Sequence, residues 1–541
     1  MIKKFASDLR SEFKGYNGQK FSKDLMAGIT VAAVALPLAL AFGVSSGADA
    51  TAGLITAIFA GIIIGILSGA SYQISGPTGA MSAILISVSA KYGIGGVLTA
   101  GFISGAMLLV LAVLRTGKLV SYIPSPVITG FTSGIAVIIA LGQIDNFFGT
   151  VSEGEGAIAK LISYGTLGFN PNMTAVLFGL LVVAIMIFYP KKWSNYVPSS
   201  LASIIVVLII NMCMFKTPVV AEVGSIPRSL IAPKNLLVMG IDFSNIKELV
   251  VPAFSIAALG MIESLLCGAS AGKMKGEKID ATRELVAQGV GNMVIPLFGG
   301  VPATAAIART SVAIKAGGHT RMVSVIHSVV LIAAMFVLSG VMSRIPLSAL
   351  AGVLMVTAWR MNEWEDIKDI FGRKLTPSIL QFLATMIATV IFDLTIAILV
   401  GIVVAMVIFI LKSSNLAITS SDVDESRLDG ISNQSKTKVM YLAGPMFFAT
   451  QDKLKNAVNE LEGYKYLILS MRGVPSVDDS AVGELVEVFE SLNNKQINVF
   501  FTGLNDNVKN TLEKSGFFEK VSEKNVFWDA VGAMKHIEKI S

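Results

Sequence analysis

Gly299-Gly-Val-Pro-Ala-Thr-Ala-Ala-Ile-Ala-Arg-Thr-Ser311 lies between two apolar segments and changes character halfway along. Its first half resists helix, because glycine costs about 1 kcal/mol and proline about 3 in a helix interior. Its second half, from Thr304, is small, helix-compatible and carries Arg309. A helix that starts inside a bilayer leaves about four backbone N–H groups without partners. Hydrocarbon tolerates such a break only where it is buried in protein or lines a cavity. With the positive end of the helix dipole, those N–H groups form an anion site. The same device stands at Ser75-Gly-Pro-Thr-Gly-Ala-Met-Ser82. Interrupted segments at corresponding places in two halves point to a transporter's binding site. Thr78, Gly79, Ala80 and Met81, with Thr304, Ala305 and Ala306, are therefore read as N–H and hydroxyl donors around an anion. Close helix packing explains many other small residues here. It does not explain a proline just ahead of both breaks.

The surrounding chain is a membrane protein by composition. Its 541 residues are 53% hydrophobic and 15% charged, with mean hydropathy +0.70, where soluble domains carry about 25% charge. The first residues, MIKKFASDLRSEFKGYNGQKFSKD, have no signal-peptide core or cleavage site. Charge falls near residue 24 and returns near 412. This divides the chain into an N-terminal segment (1–23), a transmembrane domain (24–412), a polar linker (413–436) and a second domain (437–541). At roughly 20 apolar residues per helix, the transmembrane domain reads as fourteen spans, clearest at 173–189, 201–215, 323–342 and 394–411. Lys and Arg recur in alternate loops, which places both termini in the cytoplasm; the cell's inner (plasma) membrane is the expected location. The long loop 216–249 weighs less in that count. The net charge of +6 belongs to those loops. No basic, aromatic-interleaved domain suggests nucleic acid. Cys213 and Cys267 sit in apolar segments and suggest neither a disulfide framework nor a metal. With three histidines and no Walker or Rossmann glycine pattern, the expectation is no enzyme and no cofactor.

The halves repeat. Adding 225 to Pro77 gives Pro302, and to Gly43 gives Gly268; Ile123-Pro124 with Gly130 returns as Ile345-Pro346 with Gly352. Three matches in order favour duplication, and an odd number of spans per copy turns the second upside down. Beyond the linker, Val439–Leu442, Tyr466–Ser470 and Ile497–Phe501 read as buried strands alternating with helical patterns at 481–492 and 507–514. That alternation describes a small α/β domain.

Ser-Gly-Pro-Thr at 75–78, Glu-Ser-Leu-Leu at 263–266 and the stretch from Gly299 to Thr310 together resemble the sulfate permease (SulP, prestin-like) family. The C-terminal domain looks like a STAS domain. The resemblance implies a seven-plus-seven inverted repeat split into core and gate domains, a homodimer held through the gate, and elevator-like movement. The cargo would be a small anion of the sulfate, bicarbonate, chloride or dicarboxylate class, moved by H⁺ symport or by exchange. In the resembling sodium-driven bicarbonate transporters an acid works with a hydroxyl and a threonine. The matching positions here hold Cys267 and Ile307, poor sodium ligands. Many relatives carry glutamine after the proline of the first span, where this chain has Leu38 after Pro37.

Glu263 lies in the otherwise uncharged stretch 256–267, where an acid needs a partner or water. It is read as the proton-coupling group; the plainer alternative is a structural acid satisfied by an unwound span. Arg309 either lends positive potential to the anion pocket or neutralises Glu263 or a backbone carbonyl. Pro37 is expected to break or kink the first span beside the pocket, with Leu38 lining it. His327 is read as a satisfied helix histidine before a proton relay. Asp393 opens the last span at the interface. Ser480, in Val477-Asp-Asp-Ser-Ala, matches the phosphorylatable serine of anti-sigma antagonists, while Asp478 or Asp479 has the plain role of N-cap. Two other functions stay open: a nucleobase transporter of the same fold, disfavoured because the tenth span offers Arg309 instead of an acid, and a membrane anion sensor signalling through the STAS domain.

Overall fold

The computed structural model describes residues 2–154, 157–194, 197–214, 218–227, 230, 246–392, 394–422, 436–459, 461 and 463–540. Asp393, most of loop 216–249 and most of linker 413–436 lie outside the described residues. The chain forms two compact units, Met1–Ile402 and Val403–Ser541.

The first unit begins with helix α1 (Ile2–Glu12) and α2 (Gly18–Ser45), whose N-cap Asn17 accepts a hydrogen bond from the Lys20 N–H. After the hairpin helix Ala50–Phe59, α3 runs from Gly79 to Val113. It kinks at Gly93, whose φ of 66° is non-helical and is a conformation that glycine adopts without a Cβ penalty. The second half supplies α4 (Ile246–Lys275), α5 (Ala281–Val294), α6 (Ile307–Lys315) and α7 (Met322–Met342). Among the described residues, seven helices are long and apolar enough to cross a bilayer, with shorter apolar helices at Met173–Phe188, Ser199–Met214 and Thr376–Ile391. This is a multi-pass membrane architecture.

Of the break or kink expected at Pro37, the break is absent: α2 runs on through it. Its neighbours Ala35, Leu38, Ala39 and Leu40 are all buried, so packing against other helices holds the helix through the lost N–H. Near its end α2 packs closely on the helix Ala50–Phe59: a Cβ on Gly43 would fall 2.7 Å from the Gly53 nitrogen. Both helices of this hairpin therefore need glycine at the contact.

The second unit is a five-stranded sheet in the order β3-β4-β5-β6-β7: β3 (Ala417–Asp422), β4 (Thr437–Ala443), β5 (Tyr466–Gly473), β6 (Asn498–Thr502) and β7 (Val526–Phe527). β3 pairs antiparallel and the other pairs are parallel. Leu467 and Leu469 of β5 pack with Leu485 and Phe489 of α8 (Asp479–Asn494), while Ile468 packs with Ala533, Met534 and Ile537. Helices thus cover both faces, as a parallel sheet requires. β3 falls within the stretch read as a linker. It is a polar edge strand, Ala-Ile-Thr-Ser-Ser-Asp, without the continuous apolar run by which buried strands are recognised.

Candidate functional site

The two helix breaks meet. Ser75–Gly76 (β1) and Thr304–Ala305 (β2) pair antiparallel, Ser75 opposite Ala305 and Gly76 opposite Thr304. Each short strand leads straight into a helix: α3 starts at Gly79 with Thr78 as N-cap, and α6 starts at Ile307 with Ala306 as N-cap. Prolines 77 and 302 and the flanking glycines keep the lead-ins extended. Antiparallel pairing is the geometry that two oppositely inserted copies of one motif make.

Glu263 of α4 faces this seam. Its Oε2 accepts the Thr304 hydroxyl at 2.7 Å and the Thr78 hydroxyl at 3.0 Å. One carboxylate oxygen thus touches both breaks. Thr78 also accepts the Met81 N–H at 3.3 Å, which closes the first turn of α3. Gly79 and Ala80 then contribute amides to a helix start that has no preceding helical carbonyl. Met81 is buried, as are Thr78, Ala80 and Thr304.

On the other side the sequence reading needs correction. The helix begins three residues later than Thr304, so Ala305 and Ala306 are not free first-turn donors. The Ala305 N–H donates to Ser264 Oγ at 3.2 Å and the Ala306 N–H to the Ile74 carbonyl at 2.9 Å. The open amides of that tip belong to the first turn of α6, Ile307 to Arg309. Arg309 accordingly lies in that first turn.

Arg309 is 1% exposed. Its Nη2 donates to the Pro77 carbonyl, so it clasps the opposite break; its Nη1 has no hydrogen-bond partner. A Cβ on Gly76 would overlap the guanidinium, which explains the glycine there. Of the two roles read for Arg309, binding a backbone carbonyl is the one seen directly. Glu263 lies within electrostatic range of Arg309, yet its hydrogen bonds go to the two threonines.

Pro37 and Leu38 are buried on α2, and Leu38 joins the apolar cluster that holds Ala80 and Met81. Leu38 offers no polar atom to the seam. Cys267 and Ile307 do not join Glu263: the Cys267 thiol faces Thr310 Oγ1 at 3.5 Å, and Ile307 is 42% exposed. His327 on α7 is fully buried, with the backbone of Ser324 as its hydrogen-bonding neighbour. In the second unit, Ser480 is exposed in the first turn of α8, while Asp478 is the N-cap, accepting from Ala481 N–H at 2.8 Å.

Sequence reasoning missed the residues that brace the seam. Asn292 of α5 donates to the Ala303 carbonyl at 2.9 Å and accepts the Ala303 N–H at 2.7 Å. Gln288 donates to Ser75 Oγ at 3.1 Å and to Glu284 Oε1 at 2.9 Å. The Ile74 N–H donates to Thr310 Oγ1 at 3.0 Å. The signal was present: Glu284, Gln288 and Asn292 recur every four residues, the spacing of one helix face, and all three are buried. A cavity of about 1040 Å³ opens elsewhere in this unit, lined by Asp8, Glu12, Arg115, Lys278, Arg283 and Arg321 among others.

Residues 21–380 match the sulfate permease family and residues 430–532 the STAS domain. The chain is 36% identical over 527 residues to a putative sulfate transporter of Bacillus subtilis, covering 95% of this chain and 97% of that one. It is 29% identical to a bicarbonate transporter, BicA, of Picosynechococcus, covering 95% and 94%. Among solved structures it resembles the transmembrane domain of a cyanobacterial BicA (TM-score 0.65, 28% identity, 71% of this chain and 98% of that one). It also resembles SLC26A9 (TM-score 0.83, 18% identity, 99% and 93%), a likeness of fold.

Proposed function

The chain belongs to the sulfate permease family, and on that premise we propose that it is a secondary transporter holding a small anion between the tips of α3 and α6. Membership makes it an anion transporter of the sulfate and bicarbonate kind; chloride and dicarboxylates are the further candidates. The observation that carries the site is the pairing of Ser75–Gly76 with Thr304–Ala305, which brings two helix N-termini and the buried Arg309 to one place. Two positive dipole ends and a guanidinium create the potential an anion needs in a low-dielectric interior. The guanidinium is anchored through Nη2 to Pro77 and lends its positive field to the pocket.

Glu263 supplies the coupling. As a carboxylate it accepts from Thr78 and Thr304 and repels an incoming anion. Once protonated it no longer repels, and its O–H becomes a donor, which frees a threonine hydroxyl to turn toward the cargo. Anion and proton then load together, giving H⁺ symport, or exchange where the proton stays. Cys267 and Ile307 supply no hard oxygen beside Glu263, and the two threonine hydroxyls there are engaged as donors to the carboxylate, which favours a proton over sodium. Because the two tips are joined by backbone pairing, they travel as one body, as elevator movement within a homodimer requires. Both termini are assigned to the cytoplasmic side of the inner (plasma) membrane, where Ser480 would be open to phosphorylation.

Reconstituted vesicles test this. Labelled sulfate, bicarbonate, chloride and succinate should compete for uptake driven by an imposed pH gradient, with loss in Glu263→Gln. Uptake of a nucleobase with no anion competition would overturn the reading.

A further inference from the structure

We propose that α1 is an ionic latch that holds the β1–β2 seam in register from outside the site, through a continuous buried polar strut; the inference rests on the anion site proposed above. The strut can be followed bond by bond. Asp8 Oδ2 pairs with Arg283 Nη1 at 2.6 Å, and Glu12 Oε2 with Arg321 Nη2 at 2.8 Å. Phe5 lies against both guanidiniums, 5.5 Å from Arg283 and 5.8 Å from Arg321. Both arginines then donate inward to the turn that precedes β1: Arg283 Nε to the Ser68 carbonyl at 3.0 Å, and Arg321 Nη1 to the Ile66 carbonyl. The other side of that turn is gripped by Glu284, whose Oε2 accepts the Ser68 hydroxyl at 2.6 Å and the Gly69 N–H at 2.9 Å. Glu284 Oε1 accepts from Gln288, and Gln288 also donates to Ser75 Oγ, in the strand that pairs with Ala305.

Each link is a charged or buried polar group whose partner cannot be withdrawn cheaply. Arg283 and Arg321 are nearly buried, with side chains 10% and 5% exposed, yet each has an acidic partner on a separate, N-terminal helix. Asp8, 40% exposed, is the accessible end. The cavity lined by Asp8, Glu12, Arg115, Lys278, Arg283 and Arg321 gives solvent and salt access to this pair. Releasing α1 leaves two guanidiniums without their counter-charges, so they reorient, and the turn at 66–69 loses one of its two grips. Glu284 and Gln288 are thus positioning residues for the anion site, and α1 sets how tightly they hold.

The test uses the full chain in lipid nanodiscs and vesicles, comparing wild type, the near-isosteric pair Asp8→Asn/Glu12→Gln, Gln288→Met, and all three changes together. Hydrogen exchange is read at residues 66–76 and 300–306, and apparent anion affinity by sulfate and bicarbonate uptake. The latch pair should speed exchange at 66–76 and raise the apparent KM about fivefold or more. Gln288→Met should do the same, and the triple variant should add little to either, since both act on one strut. Unchanged exchange at 75–76 in the latch pair overturns the proposal, as does faster exchange with unchanged KM, or full additivity. A wild type that carries no anion would sink the transport reading instead, and the exchange measurements would still decide the strut.

Discussion

Thr78 and Thr304, one from each half of the chain, donate their hydroxyl protons to the same oxygen of Glu263, at 3.0 and 2.7 Å. A single titratable group therefore senses both helix breaks at once. Any change in its protonation alters the hydrogen bonding at both tips.

Glu263→Gln keeps an oxygen for the two threonines but cannot exchange a proton at working pH. Proton-stimulated anion uptake should fall about tenfold or more, with the thermal melting point within a few degrees of wild type. A variant whose uptake follows pH as the wild type does would remove Glu263 from the coupling role.

Thr304→Val preserves shape and deletes one donor to the carboxylate. The expected cost is about 1–3 kcal/mol of stability, the penalty for leaving a charged or buried acceptor underserved, together with weaker uptake. Thr304→Ser should restore both. Failure of serine to rescue would mean that the methyl group, and not the hydroxyl, is what the seam needs.

Arg309→Ala should weaken anion affinity about tenfold, the factor that 1.4 kcal/mol represents, and Arg309→Lys should fall between alanine and wild type. Measured at low salt, where screening is least, an unchanged affinity in the alanine variant would contradict a field role.

Asn292→Leu removes both bonds to Ala303, leaving a buried N–H and a buried carbonyl without partners. Its loss of thermal stability should exceed that of Thr304→Val, because two backbone groups are orphaned instead of one side-chain contact. Equal melting points would show that water enters and replaces the amide.

Glu363, between two helices and outside the spans, is held above the usual carboxylate range by burial and by the neighbouring Asp366. The folded state therefore binds its proton more tightly than the unfolded chain does. It contributes favourably when protonated, and that contribution is lost as pH rises through its folded value. Glu363→Gln should raise the melting point at about pH 8 and leave it little changed at about pH 4. A stabilisation of equal size at both values would rule out titration as the cause.

The glycines, the prolines and the lone mid-span acid made the broken helices legible from sequence, because each residue is costly in apolar helix and needs a reason. The STAS strands were legible for the opposite reason, being apolar runs between polar helices. What was not legible was who holds whom. Ala305 and Ala306 look like ready donors until Ser264 and Ile74 are seen to occupy their amides. The offset of the α6 start depends on β pairing across the chain, which no local pattern encodes. Nor does a lone proline tell a broken helix from a continuous one: tight packing around Leu38 and Ala39 keeps α2 unbroken at Pro37.

The stitching between β1 and β2 is made by main-chain atoms, so it leaves free those side chains at the two tips that do not themselves cross the seam. A lineage could exchange Ala80 or Ile307 and Ala308 and retune its cargo from a divalent oxyanion to a monovalent one, so long as Thr78 keeps its bond to Glu263 and Arg309 its bond to Pro77. Gly76 is the exception, since the guanidinium of Arg309 occupies the space its side chain would need.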